Sequence, residues 1–167
     1  MEMDRMLKFT VKTILLFIII NLGMSVLVPI IMGVINNGLV DNDIQKIFGS
    51  EKVQSFVAWL TTVTLMMWVL WSDSKKNTAY QCFDGINTAV TFLLVFVAYF
   101  MPVLYIDEAG EKMSVFLKQY FFGCLWIKGD SYETGAMLAV IFAIIPMLAI
   151  YMLVHYLYLR KHPELND

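Results

Sequence analysis

The chain has 167 residues, a formal net charge of −2, and 59% apolar against only 16% charged residues, where soluble domains carry about 25% charged. That balance argues against a water-soluble domain and leaves no basic surface on which nucleic acid would bind. Apolar residues fall in blocks, and a helix needs about 20 of them in succession to cross a bilayer core.

The first such block covers residues 10–35. It follows a basic tail, with Arg5 and Lys8 before it and Lys12 at its edge. The block is longer than the apolar stretch of a cleaved leader and lacks a small-x-small site, so the first span is expected to be retained. Asn21 and Ser25 lie four residues apart within it, and Pro29 and Gly33 continue the ridge. The segment 36–52 opens with Asn-Asn-Gly, which ends a helix. Asp41 or Asn42 then starts a short helix through Ile47, and Gly49 stops it.

The second block is 53–72. Ser55, Ala58 and Thr62 share one face, with Thr61 beside it. Asn21 and Thr62 both fall near mid-span, so Asn21, Ser25, Thr61 and Thr62 are the candidate intramembrane polar site. Two readings stand: hydrogen-bonding glue between helices, or the polar midpoint of a narrow solute path. The connection 73–85 is polar. Asp73 and Asp84 read as solvated acids, and Asp84 or Asn87 is placed to cap the next helix.

The third block is 86–106 and the fourth is 134–159. Gly135, Ala139 and Ala143 repeat every four residues in the fourth, a ridge of small residues that lets another helix approach closely. Pro29, Pro102 and Pro146 fall within spans and are expected to bend them. His155 reads as an interfacial histidine beside Tyr156 and Arg160. No Asp, Glu, Lys, Arg or His occurs within 13–35, 53–72, 86–106 or 134–154. Ionisable groups at membrane depth are costly and are kept for function, so this pattern argues against a proton relay, a carboxylate metal site or an intramembrane protease. No catalytic residue, metal ligand or cofactor site is expected.

Between the last two blocks, the wheel of residues 111–127 gathers Met113, Phe116, Leu117, Tyr120, Phe121, Cys124 and Ile127 on one face. Lys118 interrupts a run too short to cross alone. The expectation is an amphipathic helix lying in the outer interface, with a re-entrant segment broken at Gly123 as the alternative. Phe116, Tyr120, Phe122 and Trp126 are its candidate lipid or partner surface.

The expected fold is therefore an all-α integral membrane protein, a four-transmembrane-helix bundle with an additional extracytoplasmic amphipathic helix, interfacial or re-entrant. Lys and Arg near the span ends favour one side: Arg5, Lys8, Lys12, Lys75, Lys76, Arg160 and Lys161. Both termini are accordingly expected in the cytoplasm of a multi-pass protein, in the cytoplasmic membrane if the source is bacterial. Cys82 and Cys124 then lie on opposite sides and do not pair. The expected partners are the bilayer and other membrane protein subunits, or further copies of the chain. The expected function is a non-enzymatic accessory subunit of a larger membrane transport, secretion or envelope assembly. The alternatives are a small homo-oligomeric channel or solute carrier with a midplane polar site, and an immunity-type membrane protein.

Overall fold

A computed structural model describes residues 2–39, 41–102, 119–127 and 132–165. Among the described residues there are five α-helices, short 3₁₀ turns and no strand. Helix α1 runs Glu2–Asn37 and stops at Gly38, whose N–H donates to Ile35 O at 3.0 Å. The short α2, Asn42–Phe48, starts where Asp41 accepts from the N–H groups of Asp43 and Ile44, and ends at Gly49. Helix α3 covers Glu51–Ala79, α4 Gly85–Phe100, and α5 Tyr132–Lys161.

Three of these helices are long and apolar enough to cross a membrane: Arg5–Asn37, Glu51–Ala79 and Thr134–Lys161. The fourth, α4, is shorter at 16 residues, about 24 Å at 1.5 Å per residue. Asp84 caps it by accepting from Ile86 N at 2.8 Å and Asn87 N at 3.4 Å. Its ladder stops before Pro102, which has no N–H to return to the preceding turn. Helix α4 ends at Phe100 and Met101–Pro102 continue as a 3₁₀ turn, while 103–106, the rest of the expected span, lie outside the described residues. Asp84→Ala is expected to cost about 1 kcal/mol of stability, the usual value of such a cap, as measured by thermal unfolding in mild detergent.

Helices α3 and α4 each pack between α1 and α5, which gives the cyclic order α1–α3–α5–α4. The start of α1 meets the end of α5, where the rings of Phe9 and Tyr151 stack at 5.2 Å. This is the basic end of the bundle. Each helix turns a stripe inward: on α1 it is Phe9, Thr13, Phe17, Asn21, Ser25, Val28 and Met32. That spacing of three or four residues keeps one face on the axis.

The distribution of polarity is the reverse of that in a water-soluble bundle. Thr13, Asn21, Ser25, Ser55, Thr62, Ser74, Thr78, Thr88 and Thr91 are buried. Leu15, Ile19, Ile30, Trp68, Leu93 and Ile145 stand outside, each more than half exposed. Apolar surface on this scale is untenable in water. In hydrocarbon it is the favourable arrangement, because apolar side chains face lipid while the helices satisfy their own backbone groups.

Helix α3 continues past residue 72, where the polar run had suggested a loop. Ser74 Oγ donates to Tyr151 O at 2.7 Å, Asn77 Nδ2 to Tyr151 Oη at 2.7 Å, and Thr78 Oγ1 pairs with His155 Nδ1 at 2.8 Å. Docking on α5 carries the helix to Ala79.

Candidate functional site

Residues 119–127 enter the bundle. Gln119 and Tyr120 are helical, a 3₁₀ turn follows at Phe122–Cys124, and the chain leaves through Ile127. The helix expected to reach residue 127 thus gives way to a turn after Tyr120, while 111–118, including Phe116, lie outside the described residues. Tyr120, Phe121 and Cys124 are buried at 3%, 0% and 4% exposure. The sequence places Tyr120 on the candidate lipid or partner surface. It stacks instead on Tyr99 of α4, with ring centroids 5.0 Å apart. Cys124 Sγ lies 3.0 Å from Tyr99 Oη.

This segment sits where α4 stops. Tyr99, near the C-terminus of α4, packs edge-on against Phe17 of α1. Beyond that level the residues of 119–127 take α4's place against the other three helices. Backbone polar groups brought to this depth require partners, and the neighbouring helices supply them. Asn21 Nδ2 donates to Tyr120 O at 2.8 Å. Ser55 Oγ donates to Phe122 O at 2.6 Å and accepts from Trp126 N at 3.1 Å. Gln119 Nε2 donates back to Ser25 O.

Several residues singled out from the sequence meet here. Asn21, Thr62, Ala139 and Ala143 line one void of about 10 Å³, at the lower limit for a single water. Trp59 and Tyr99 line it too, and neither had been singled out for a site. Trp59 Nε1 donates to Ala139 O at 3.0 Å, tying α3 to α5. The small-residue ridge of α5 faces inward: a Cβ on Gly135 would stand 3.4 Å from Ile127 O. The close approach that Gly135, Ala139 and Ala143 permit is therefore made within the chain.

The other candidates do not converge on the void. Ser25 Oγ donates to Leu22 O, and Thr61 Oγ1 to Val57 O. Phe122 packs beside Val28, Met32 and Ala58. Trp126 joins Phe56 and Trp59 in an aromatic cluster with centroids 5.1 Å from each.

Asn21→Leu removes the side-chain donor that α1 supplies to the Tyr120 carbonyl. The expected loss is about 1–2 kcal/mol, to be read as a lower unfolding temperature in detergent.

The basic end holds a second group of polar side chains. Lys12 Nζ lies 2.7 Å from both carboxylate oxygens of Asp73. Asp73, expected in a solvated loop, is a buried residue of α3. Arg5 lies over the Tyr80 ring at 4.7 Å, and its Nη1 approaches Cys82 Sγ at 3.9 Å. His155 stacks flat on Phe83 at 3.4 Å and bonds Thr78, so it belongs to the helix packing here. The continuation of α3 brought Asp73 under Lys12. The signal available beforehand was the spacing Arg5, Lys8, Lys12, one helical stripe that runs straight into the first span.

Among the described residues, no group of three or more His, Cys, Asp or Glu is placed to hold a metal ion. No protein-family model matches the sequence, and no curated protein or solved structure matches the chain.

Proposed function

We propose that this chain crosses the membrane four times, with both termini in the cytoplasm, and acts as a non-enzymatic accessory subunit of a larger membrane assembly. In this reading α4, Met101 and the following residues make the third passage, and 119–127 return into the bundle before α5. One observation carries the functional part. Polar side chains of α1 and α3 are spent on holding the chain's own segment 119–127: Asn21 on Tyr120 O, and Ser55 on Phe122 O and Trp126 N. A bundle closed in this way acts through its outer surface. That surface is apolar along all four bundle helices, as suits lateral contact with other membrane proteins.

The test is purification of the full chain in mild detergent. The expected outcome is a stoichiometric complex with other membrane proteins, reduced by substitutions on the outward faces. Recovery of the bare chain as a monomer would count decisively against a subunit. A solute path is the second reading, and the void shared by Asn21 and Thr62 favours it. It requires that liposomes containing the protein pass ions or small solutes faster than empty ones. Flux equal to that of empty liposomes, or unchanged in Asn21→Leu, removes it.

A further inference from the structure

At the basic end, the groove between the first turns of α1 and the last turns of α3 is lined by Arg5, Lys8, Lys12 and Lys76, with Asp73 the one carboxylate among the described lining residues. Asp73 is already neutralised by Lys12 across both oxygens. Arg5 on α1 and Lys76 on α3 therefore bring positive charge to the groove from two helices at once. Arg5 is steadied over the Tyr80 ring, and Lys75 lies 5.2 Å over Trp71 on the same end of α3. Trp and Tyr beside Lys and Arg mark the level of lipid headgroups.

The stripe continues below the cations. Arg5, Lys8, Lys12, Leu15 and Ile19 alternate steps of three and four residues, a spacing that drifts only about 40° from first to last. Leu15 and Ile19 are 53% and 62% exposed. One helix face thus reads cationic at headgroup level and apolar immediately beneath, beside a second helix that contributes another cation. A molecule that matches both halves carries an anion above hydrocarbon. Basic pockets between membrane helices suit anionic lipid headgroups for this reason.

We propose that this groove is a binding site for an anionic phospholipid. The phosphate sits among Arg5, Lys12 and Lys76, and an acyl chain runs over Leu15 and Ile19. Lys12 serves two roles, holding Asp73 and presenting its remaining N–H to the phosphate. The assignment rests on the membrane reading and is independent of the subunit reading, whose test is purification.

The experiment measures lipid retained by the full chain in detergent, by native mass spectrometry, with phosphatidylglycerol and phosphatidylcholine as probes. Phosphatidylglycerol is expected to bind in preference. Arg5→Gln/Lys76→Gln, which leaves the Lys12–Asp73 pair intact, should weaken it on the order of tenfold with little change for phosphatidylcholine. Lys76→Gln alone, at an exposed position, should give about half that effect on a logarithmic scale and guards against misfolding of the double variant. Leu15→Asn/Ile19→Asn should weaken the lipid as well. Millimolar inorganic phosphate that displaces phosphatidylglycerol, with no effect of Leu15→Asn/Ile19→Asn, would replace the lipid by a free anion and overturn the assignment. An unchanged preference in a folded Arg5→Gln/Lys76→Gln protein would overturn the site itself.

Discussion

Replacing Lys12 by Met is expected to lower stability by about 2–3 kcal/mol. The loss comes from Asp73, whose side chain is only 11% exposed and would lose its cationic partner. Removing one member of a buried pair typically costs about 3–5 kcal/mol. The Lys12 side chain, however, is 48% exposed, so water screens part of the attraction and the smaller figure applies. The two single variants should differ. Asp73→Asn leaves an ammonium on a long stem that reaches water by itself, so about 1 kcal/mol is expected. Lys12→Met/Asp73→Leu, with no charge left to bury, should recover most of the loss. Thermal unfolding of the four proteins in one detergent decides the matter. Equal losses in the two single variants, or no recovery in the double one, would show that the pair is not what holds α1 to α3 at this end.

Ser55→Ala is expected to release segment 119–127. A single hydroxyl satisfies two backbone groups there, donating to Phe122 O and accepting from Trp126 N. Each orphaned buried group costs about 1–3 kcal/mol. Partial relaxation leaves an expected total of about 2–3 kcal/mol, concentrated in local opening and not in global unfolding. The readout is Cys124, which is 4% exposed and meets a thiol reagent only when the segment opens. With Cys82→Ser removing the other thiol, Ser55→Ala should be labelled by a maleimide on the order of 30-fold faster or more, since about 1.4 kcal/mol is tenfold in population. Thr64→Val is the matched control: its hydroxyl bonds only Leu60 O in its own helix. An unaltered labelling rate in Ser55→Ala would mean that other contacts hold the segment.

The parts of this fold legible in the sequence are those set by local chemistry. Asp41, Gly49 and Asp84 bound their helices because a carboxylate before a helix and a glycine after it act within one turn. That Asn21 and Thr62 would lie at one level could be read from their mid-span positions, and both line the same small void. Asp73 was not legible. Its neighbours spell a polar connection, and the groups that make it helical, Lys12, Tyr151 and His155, are supplied by α1 and α5. The turn after Tyr120 was half legible. Gly123 permits a break, but apolar residues on both sides of the wheel beyond Phe122 made a continuing helix look as sound as a turn. What decided it was the supply of donors at Asn21 and Ser55, and no periodicity reports that.

The shortness of α4 has a consequence for assembly. Helices α1, α3 and α5 satisfy their own backbones and are stable in a bilayer before they pack, as in two-stage insertion. Segment 119–127 lacks that independence. Its carbonyls find donors in residues 99 and 67 positions away, so those bonds form only after α1 and α3 stand side by side. Such distant pairings are slow to close. Docking of 119–127 is therefore expected to follow the packing of α1 and α3, and a defect at Asn21 or Ser55 is expected to yield an inserted chain arrested short of its packed state. Protease protection of the termini would look normal in such a chain, while Cys124 would stay open to reagent.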